Sequence, residues 1–171
     1  MWRMVFDPEY GPANHLLGLL GIGRVAWFGD VRAAKLAIII AELWLSTPFV
    51  MLVLLAGLQS IPSEYLEAAR IDGASAAQSF FQIVLPLLRP AIAVVIVIRT
   101  MDALRAFDLV YALTNGGPGT TTSTVMTYNY RYFSYFQMGR ASALSFTVLV
   151  AIAAITLVYL WLMKPAQEQD R

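Results

Sequence analysis

Three long apolar stretches, separated by more polar segments, dominate the hydrophobic pattern of the chain. They cover residues 33–58, 87–114 and 141–163. Each is long enough, at a helical rise of about 1.5 Å per residue, to cross a hydrocarbon layer of about 30 Å. The predicted fold class is therefore all-α, a polytopic membrane helical bundle with three transmembrane helices.

The remaining segments are predicted to be loops, short helices and a tail. They cover residues 1–32, 59–86, 115–140 and 164–171. The first of them contains charged residues, glycine and proline before any apolar core forms, so it lacks the layout of a signal peptide.

The loop at 59–86 predicts a pair of short helices. Asp72 and Gly73 are expected to end the first helix, because glycine readily adopts the left-handed conformation of a helix C-terminus. A second short helix is predicted over residues 75–84, and Pro86 is expected to end it. The sequence thus predicts a bent helical element between two membrane spans.

Four charged residues interrupt the second apolar stretch at intervals of three. They are Arg99, Asp102, Arg105 and Asp108. At a helix centre each charge costs roughly 2.5–3.5 kcal/mol, so this region cannot face lipid. Neighbours of opposite charge at this spacing can pair. Two interpretations stay open: a structural ladder of charges, or the polar lining of a path for a hydroxyl-rich solute, which is favoured for Asp102 and Arg105.

The first apolar stretch contains an acidic residue and a proline. Glu42 must face protein or water rather than lipid, and we favour a solvated position near the membrane surface over a place in a solute path. Pro48 removes a backbone donor and predicts a kink.

The composition agrees with a membrane protein. The chain is 58% hydrophobic and 13% charged, with a mean hydropathy of +0.64. It has no cysteine, which excludes disulfides and thiolate metal sites, and its net charge of +1 gives no sign of nucleic-acid binding. The sequence contains no nucleotide loop or catalytic constellation, so we expect no enzyme activity, cofactor or metal.

The helix pair carries a recognisable set of residues, namely Glu67-Ala68-Ala69, Asp72-Gly73-Ala74 and Ile83-Val84-Leu85-Pro86. This set resembles the EAA loop of permease subunits in binding-protein-dependent ABC importers. Residues 113–118 (LTNGGP) and 139–143 (GRASA) are similar to the carbohydrate branch of those permeases, the maltose and glycerol-3-phosphate type. The resemblance implies a multi-pass protein of the prokaryotic inner membrane that carries a sugar, polyol or glycerol phosphate.

The resemblance also implies several partners. They are a cytoplasmic ATPase subunit, a second permease subunit and an extracytoplasmic solute-binding protein, with the lipid bilayer around the spans. The loop would dock on the ATPase as a coupling helix, through Glu67, Ala68, Ala69, Asp72, Gly73 and Ala74. ATP hydrolysis would belong to that partner.

The charge distribution does not fix the orientation, because lysine and arginine do not favour the side of the 59–86 loop. The resemblance places residues 59–86 and 164–171 in the cytoplasm, and residues 1–32 and 115–140 outside. Family members usually have more spans than three, so we expect an N-terminal half to be missing.

Two alternatives to a sugar permease stay open. The chain could be a truncated permease remnant or a membrane scaffold without transport activity, in which the charges are purely structural. The solute could instead be an amino acid or an ion. The aromatic residues of the 115–140 loop predict an interfacial belt, or else stacking against a sugar or contact with a binding protein.

Overall fold

A computed structural model describes residues 1–167, and every regular element in this range is a helix, which confirms the predicted fold class. The helices are α1 (Trp2–Val5), α2 (Pro12–Leu19), α3 (Val31–Gln59), α4 (Ser63–Ile71), α5 (Ala76–Leu104), α6 (Asp108–Thr114), α7 (Val125–Ser134) and α8 (Met138–Gln167).

Three helices are long and apolar enough to cross a membrane: α3, α5 and the Met138–Tyr159 part of α8. Most of their apolar surface is exposed within the chain, so it needs lipid or other helices to cover it. Helix α3 continues through Pro48 without a break. The predicted tail at 164–171 begins inside α8, and its residues 168–171 lie outside the described residues.

The prediction of one helix over residues 87–114 is wrong, because the structure breaks this segment between α5 and α6. The amides of Arg105 and Ala106 close the last turn of α5 with bonds to carbonyls three residues back, at 3.1 and 3.3 Å. Phe107 then leaves the helical conformation at φ −130°. The break is stabilised from a distance, since the Thr124 hydroxyl donates to the Ala106 carbonyl at 2.7 Å.

The prediction that Pro86 ends a short helix is also wrong, because α5 runs through it without interruption. Residues Phe80–Val84 form one wide π-helical turn, in which the Leu85 amide donates to the Phe80 carbonyl five residues back. Such a turn relaxes the ordinary hydrogen-bond ladder just before a residue that has no amide proton. The predicted helix at 75–84 is therefore the first part of a membrane-spanning helix.

The chain forms two compact units, which we describe separately. The first contains residues 1–45 and 102–155. Phe6 and Trp27 form its core with alanines of α3. The buried Asn14 side chain joins the N-terminal segment together, because it bonds the Trp27 indole and the Val25 amide and carbonyl at 3.0–3.2 Å, as well as the Pro8 carbonyl.

The second unit contains residues 46–101 and the chain from residue 156. Helices α3 and α5 approach closely at Gly57, where an added Cβ would lie 2.8 Å from a Leu88 methyl and 2.9 Å from the Ala91 Cβ. Helices α5 and α8 share a polar contact, since the Thr100 and Tyr159 hydroxyls are 3.3 Å apart. This unit therefore contains the loop at 59–86 and the helices that hold it.

Candidate functional site

The elbow between α4 and α5 has the geometry that the sequence predicts. Gly73 adopts φ +76°, its amide donates to the Arg70 carbonyl at 3.1 Å, and the Ala74 amide donates to the Ala69 carbonyl at 2.9 Å. These two bonds form a Schellman motif, which requires a left-handed residue at the position of Gly73. An added Cβ at Gly73 would meet nothing within 4 Å, so glycine serves the backbone conformation and not a close contact.

Helix α5 begins at the elbow with a capping box. The Gln78 amide donates to the Ser75 hydroxyl at 3.3 Å, and the Ser75 amide donates to the Gln78 side-chain oxygen at 2.8 Å. Two amides of the first helical turn are satisfied in this way. The end of α4 and the start of α5 are thus both fixed by local hydrogen bonds.

A groove of about 580 Å³ lies along this elbow. Five of the six predicted coupling residues line it: Ala68, Ala69, Asp72, Gly73 and Ala74. Glu67 is exposed and does not line the groove. Sequence reasoning missed four polar lining residues, which are Glu64, Tyr65, Gln78 and Gln82. The sequence signal that could have identified them is their position on either side of Asp72-Gly73, where the first helix was predicted to end.

Apolar side chains beside the elbow stay uncovered in this chain. Ile71 is 87% exposed and Tyr65 is 53% exposed, although Ala69 between them is buried. Large exposed apolar residues grouped at one bend are typical of a surface that meets a partner. The elbow thus combines a fixed backbone shape with an uncovered apolar edge.

A second cavity, the polar pocket, lies where α5 breaks and has a volume of about 620 Å³. Three of the four charged residues predicted for a solute path line it: Asp102, Arg105 and Asp108. Arg99 does not line it. Helix α3 contributes Glu42 to the same pocket.

One of the predicted ion pairs lies in this pocket. An Arg105 guanidinium nitrogen is 3.3 Å from an Asp102 carboxylate oxygen, and the two side chains are 60% and 40% exposed. A pair this exposed contributes at most about 1 kcal/mol to stability. The groups of this pair are accessible from the pocket.

The chemistry of the polar pocket is dominated by hydrogen-bond acceptors. It contains the three carboxyl groups of Glu42, Asp102 and Asp108 and the single guanidinium of Arg105. Ionised carboxylates only accept hydrogen bonds, whereas guanidinium only donates them. The set therefore offers more hydrogen-bond acceptors than donors. Within the described residues, no group of three His, Asp or Glu side chains has the arrangement of a metal site.

The segment after the break is held by hydroxyl groups. The Thr114 and Thr122 hydroxyls are 2.8 Å apart, and Thr122 donates to the Gly117 carbonyl at 2.7 Å. Thr124 caps α7 in a box with the fully buried Thr127, in addition to its bond to Ala106. The LTNGGP segment, which residue types alone predicted as a turn, is therefore ordered by side-chain hydrogen bonds.

Comparisons with known proteins give a consistent assignment. Residues 2–165 match the family described as "Binding-protein-dependent transport system inner membrane component". The trehalose/maltose transport system permease protein MalF of Thermococcus litoralis is 44% identical over 159 residues, which cover 93% of this chain and 54% of the relative. The sulfoquinovosyl glycerol permease SmoG of Agrobacterium fabrum is 40% identical over 160 residues, 93% of this chain and 52% of the relative.

The fold is also similar to solved structures. A chain of a bacterial alginate ABC transporter, in complex with an alginate pentasaccharide-bound periplasmic protein, superposes with a TM-score of 0.82 at 28% identity, over 95% of this chain and 57% of that one. The present chain spans about half the length of the curated relatives it matches. With three helices suited to crossing a membrane, it is a multi-pass inner-membrane protein. The chain belongs to the family of binding-protein-dependent transport system inner membrane components.

Proposed function

We propose that this chain is part of the permease subunit of an ATP-driven importer, and that it lines the path of a sugar. The observation that carries the proposal is the polar pocket, in which Glu42 of α3 meets Asp102 and Arg105 at the break of α5. Charged side chains inside membrane helices are costly and usually mark a solute or ion pathway.

The chemistry of the pocket favours a sugar over the other solutes. Three carboxyl groups next to one guanidinium can accept hydrogen bonds from several hydroxyl groups at once. A glycerol phosphate would place its charge beside those carboxylates, which disfavours it. The permease of trehalose/maltose transport among the relatives supports a sugar solute.

We further propose that the elbow at 72–75 docks on a cytoplasmic ATPase subunit. The fixed Gly73 turn, the groove beside it and the exposed Ile71 give a defined shape with an uncovered apolar edge. Helix α5 carries Gln78 of the groove near its start and Asp102 of the pocket near its end. Movement of the elbow would thus act on a helix that lines the path.

The other proposed partners follow from the uncovered surfaces. The exposed apolar faces of α3, α5 and α8 need cover, which lipid and a second permease subunit would supply. A solute-binding protein would deliver the sugar outside the cytoplasm, as the periplasmic protein in the alginate transporter complex supports. In this arrangement the elbow at 72–75 faces the cytoplasm, and residues 115–140 face the opposite side.

Sugar uptake by the complete transporter tests the role of the pocket. The full-length permease, second permease, ATPase and binding protein are reconstituted in vesicles, and uptake of radiolabelled trehalose is compared for Asp102→Asn, Glu42→Gln and the wild type. Loss of one charged hydrogen-bond acceptor is expected to lower uptake at least about tenfold, because such a bond contributes about 1.5–3 kcal/mol. Glu9→Gln, an exposed carboxylate outside the pocket, is the matched control and is expected to have no effect.

The outcomes separate the proposal from its rivals. Normal uptake by both pocket variants would contradict a pathway role for these carboxylates. Failure of the variants to assemble with the other subunits would support the structural charge ladder instead. Uptake of an amino acid or an ion, but of no sugar, would support an importer whose solute is not a sugar.

A further inference from the structure

An open cleft adjoins the polar pocket within the first unit and has no part in the proposed function. Its volume is about 740 Å³. Arg105 and Phe107 line both cavities, so the cleft and the polar pocket share a wall at the break of α5. Helix α7 and the first turns of α8 form the rest of the cleft.

Aromatic rings form one side of the cleft. The ring centroids of Phe107 and Tyr130 are 5.1 Å apart, and Tyr111 lies 5.0–5.1 Å from both. Tyr130 is 40% exposed and Phe133, which also lines the cleft, is 57% exposed. Aromatic ring surface is therefore accessible from the cleft. Ligand sites commonly combine aromatic surfaces of this kind with a few well-placed polar groups.

Polar groups of the cleft include a side-chain amide with unused capacity. The Asn129 amide nitrogen donates to the Ser145 hydroxyl at 2.8 Å. The Asn129 carbonyl oxygen is buried and, among the described residues, has no hydrogen-bond partner. A buried acceptor without a partner is rare in native proteins. The Ser145 hydroxyl can donate or accept, so it also bonds an Asn129 amide whose oxygen and nitrogen are exchanged. In that orientation the amide nitrogen, rather than the oxygen, is left without a partner.

We propose that this cleft binds a second sugar ring, so that the solute is a glycoside of at least two rings lying across the break of α5. One ring would occupy the polar pocket and the next would stack on Tyr130 within reach of Asn129, with Arg105 between them. The inference rests on the proposed function and narrows its solute class.

The lining favours a sugar over two other occupants, a lipid chain and an apolar helix of a partner. Either of these would cover Arg105, Asn129 and the serine hydroxyls of the cleft without offering hydrogen bonds, which is costly for buried polar groups. A sugar ring satisfies both surfaces, because its hydroxyl groups bond the polar side chains and its C–H faces pack on the aromatic rings.

Uptake of two-ring probes by the complete reconstituted transporter tests this inference. The variants are Asn129→Leu, which removes the amide, and Tyr130→Ala, which removes the aromatic surface. Each is expected to lower the uptake of radiolabelled trehalose or maltose by about tenfold. Tyr130→Phe, which keeps the ring, is expected to restore most of the uptake.

Tyr135→Ala is the matched control, because Tyr135 is 73% exposed and does not line the cleft. If the cleft variants transport like this control while Asp102→Asn is impaired, the second ring site is overturned and the proposed function stands. If the wild type transports no sugar, both the second ring site and the proposed function are contradicted. If Asn129→Leu releases the second permease from the purified complex, the cleft is a subunit contact and the inference is overturned.

Discussion

At the residue scale, the coupling elbow depends on the conformation of Gly73. Its φ of +76° is unfavourable for residues with a Cβ, yet the space around it is open. Substitutions there therefore change the backbone energy without creating a collision. A substitution at Gly73 therefore tests the shape of the elbow without changing its side-chain contacts.

Replacement of Gly73 is predicted to weaken ATPase association according to the tolerance of each residue for positive φ. Gly73→Val is expected to cost about 1–2 kcal/mol in the native elbow, and to lose the ATPase subunit on purification of the complex. Gly73→Asn is the matched control, since asparagine accepts this conformation, and it is expected to retain the ATPase. Both variants should enter the membrane normally. Equal recovery of the ATPase with both would show that the elbow shape is not required.

At the element scale, the chain differs most from its sequence-based prediction at the break of α5. Neither glycine nor proline marks residues 105–107, so local signals favour a continuous helix. The partner that stabilises the break is Thr124, eighteen residues beyond Ala106. The break exposes Arg105 to the polar pocket and orders the start of α7 through the same threonine.

Removal of the Thr124 hydroxyl is predicted to destabilise the break and the cap of α7 together. Thr124→Val keeps the shape of the side chain but loses the bond to Ala106 and the capping bond, with an expected cost of about 1–3 kcal/mol. Thr124→Ser keeps both bonds and is expected to behave like the wild type. Thermal unfolding of the purified complex gives the stability difference. The prediction fails if the valine and serine variants unfold at the same temperature.

Sequence reasoning predicted the elements that depend on local or compositional signals. The lengths of the apolar stretches predicted the number of spans, and the Asp72-Gly73 pair predicted the end of α4. It failed where a distant partner or an unusual turn decides the structure. Pro86 is tolerated because a π-helical turn precedes it, and the break after α5 depends on the distant hydroxyl of Thr124.

At the scale of the whole molecule, the described fold is a set of exposed apolar helices with two polar features. The polar pocket and the elbow each have a defined local structure, whereas the membrane spans leave most of their surface uncovered. The chain matches about half of its curated relatives' length, and the remainder of such a permease would supply some of that cover. The function proposed here accordingly belongs to the assembled importer.

Single-cysteine labelling and cross-linking test the central claim most directly, because the chain has no cysteine of its own. In cells with the complete transporter, Ile71→Cys is placed at the 87% exposed position beside the elbow, and Thr120→Cys at an exposed position of the 115–140 loop. We predict that a membrane-impermeant maleimide labels Thr120→Cys in intact cells, whereas Ile71→Cys reacts only after permeabilisation and cross-links to the ATPase subunit. Labelling of Ile71→Cys from outside intact cells, or failure to cross-link to the ATPase, would contradict the account.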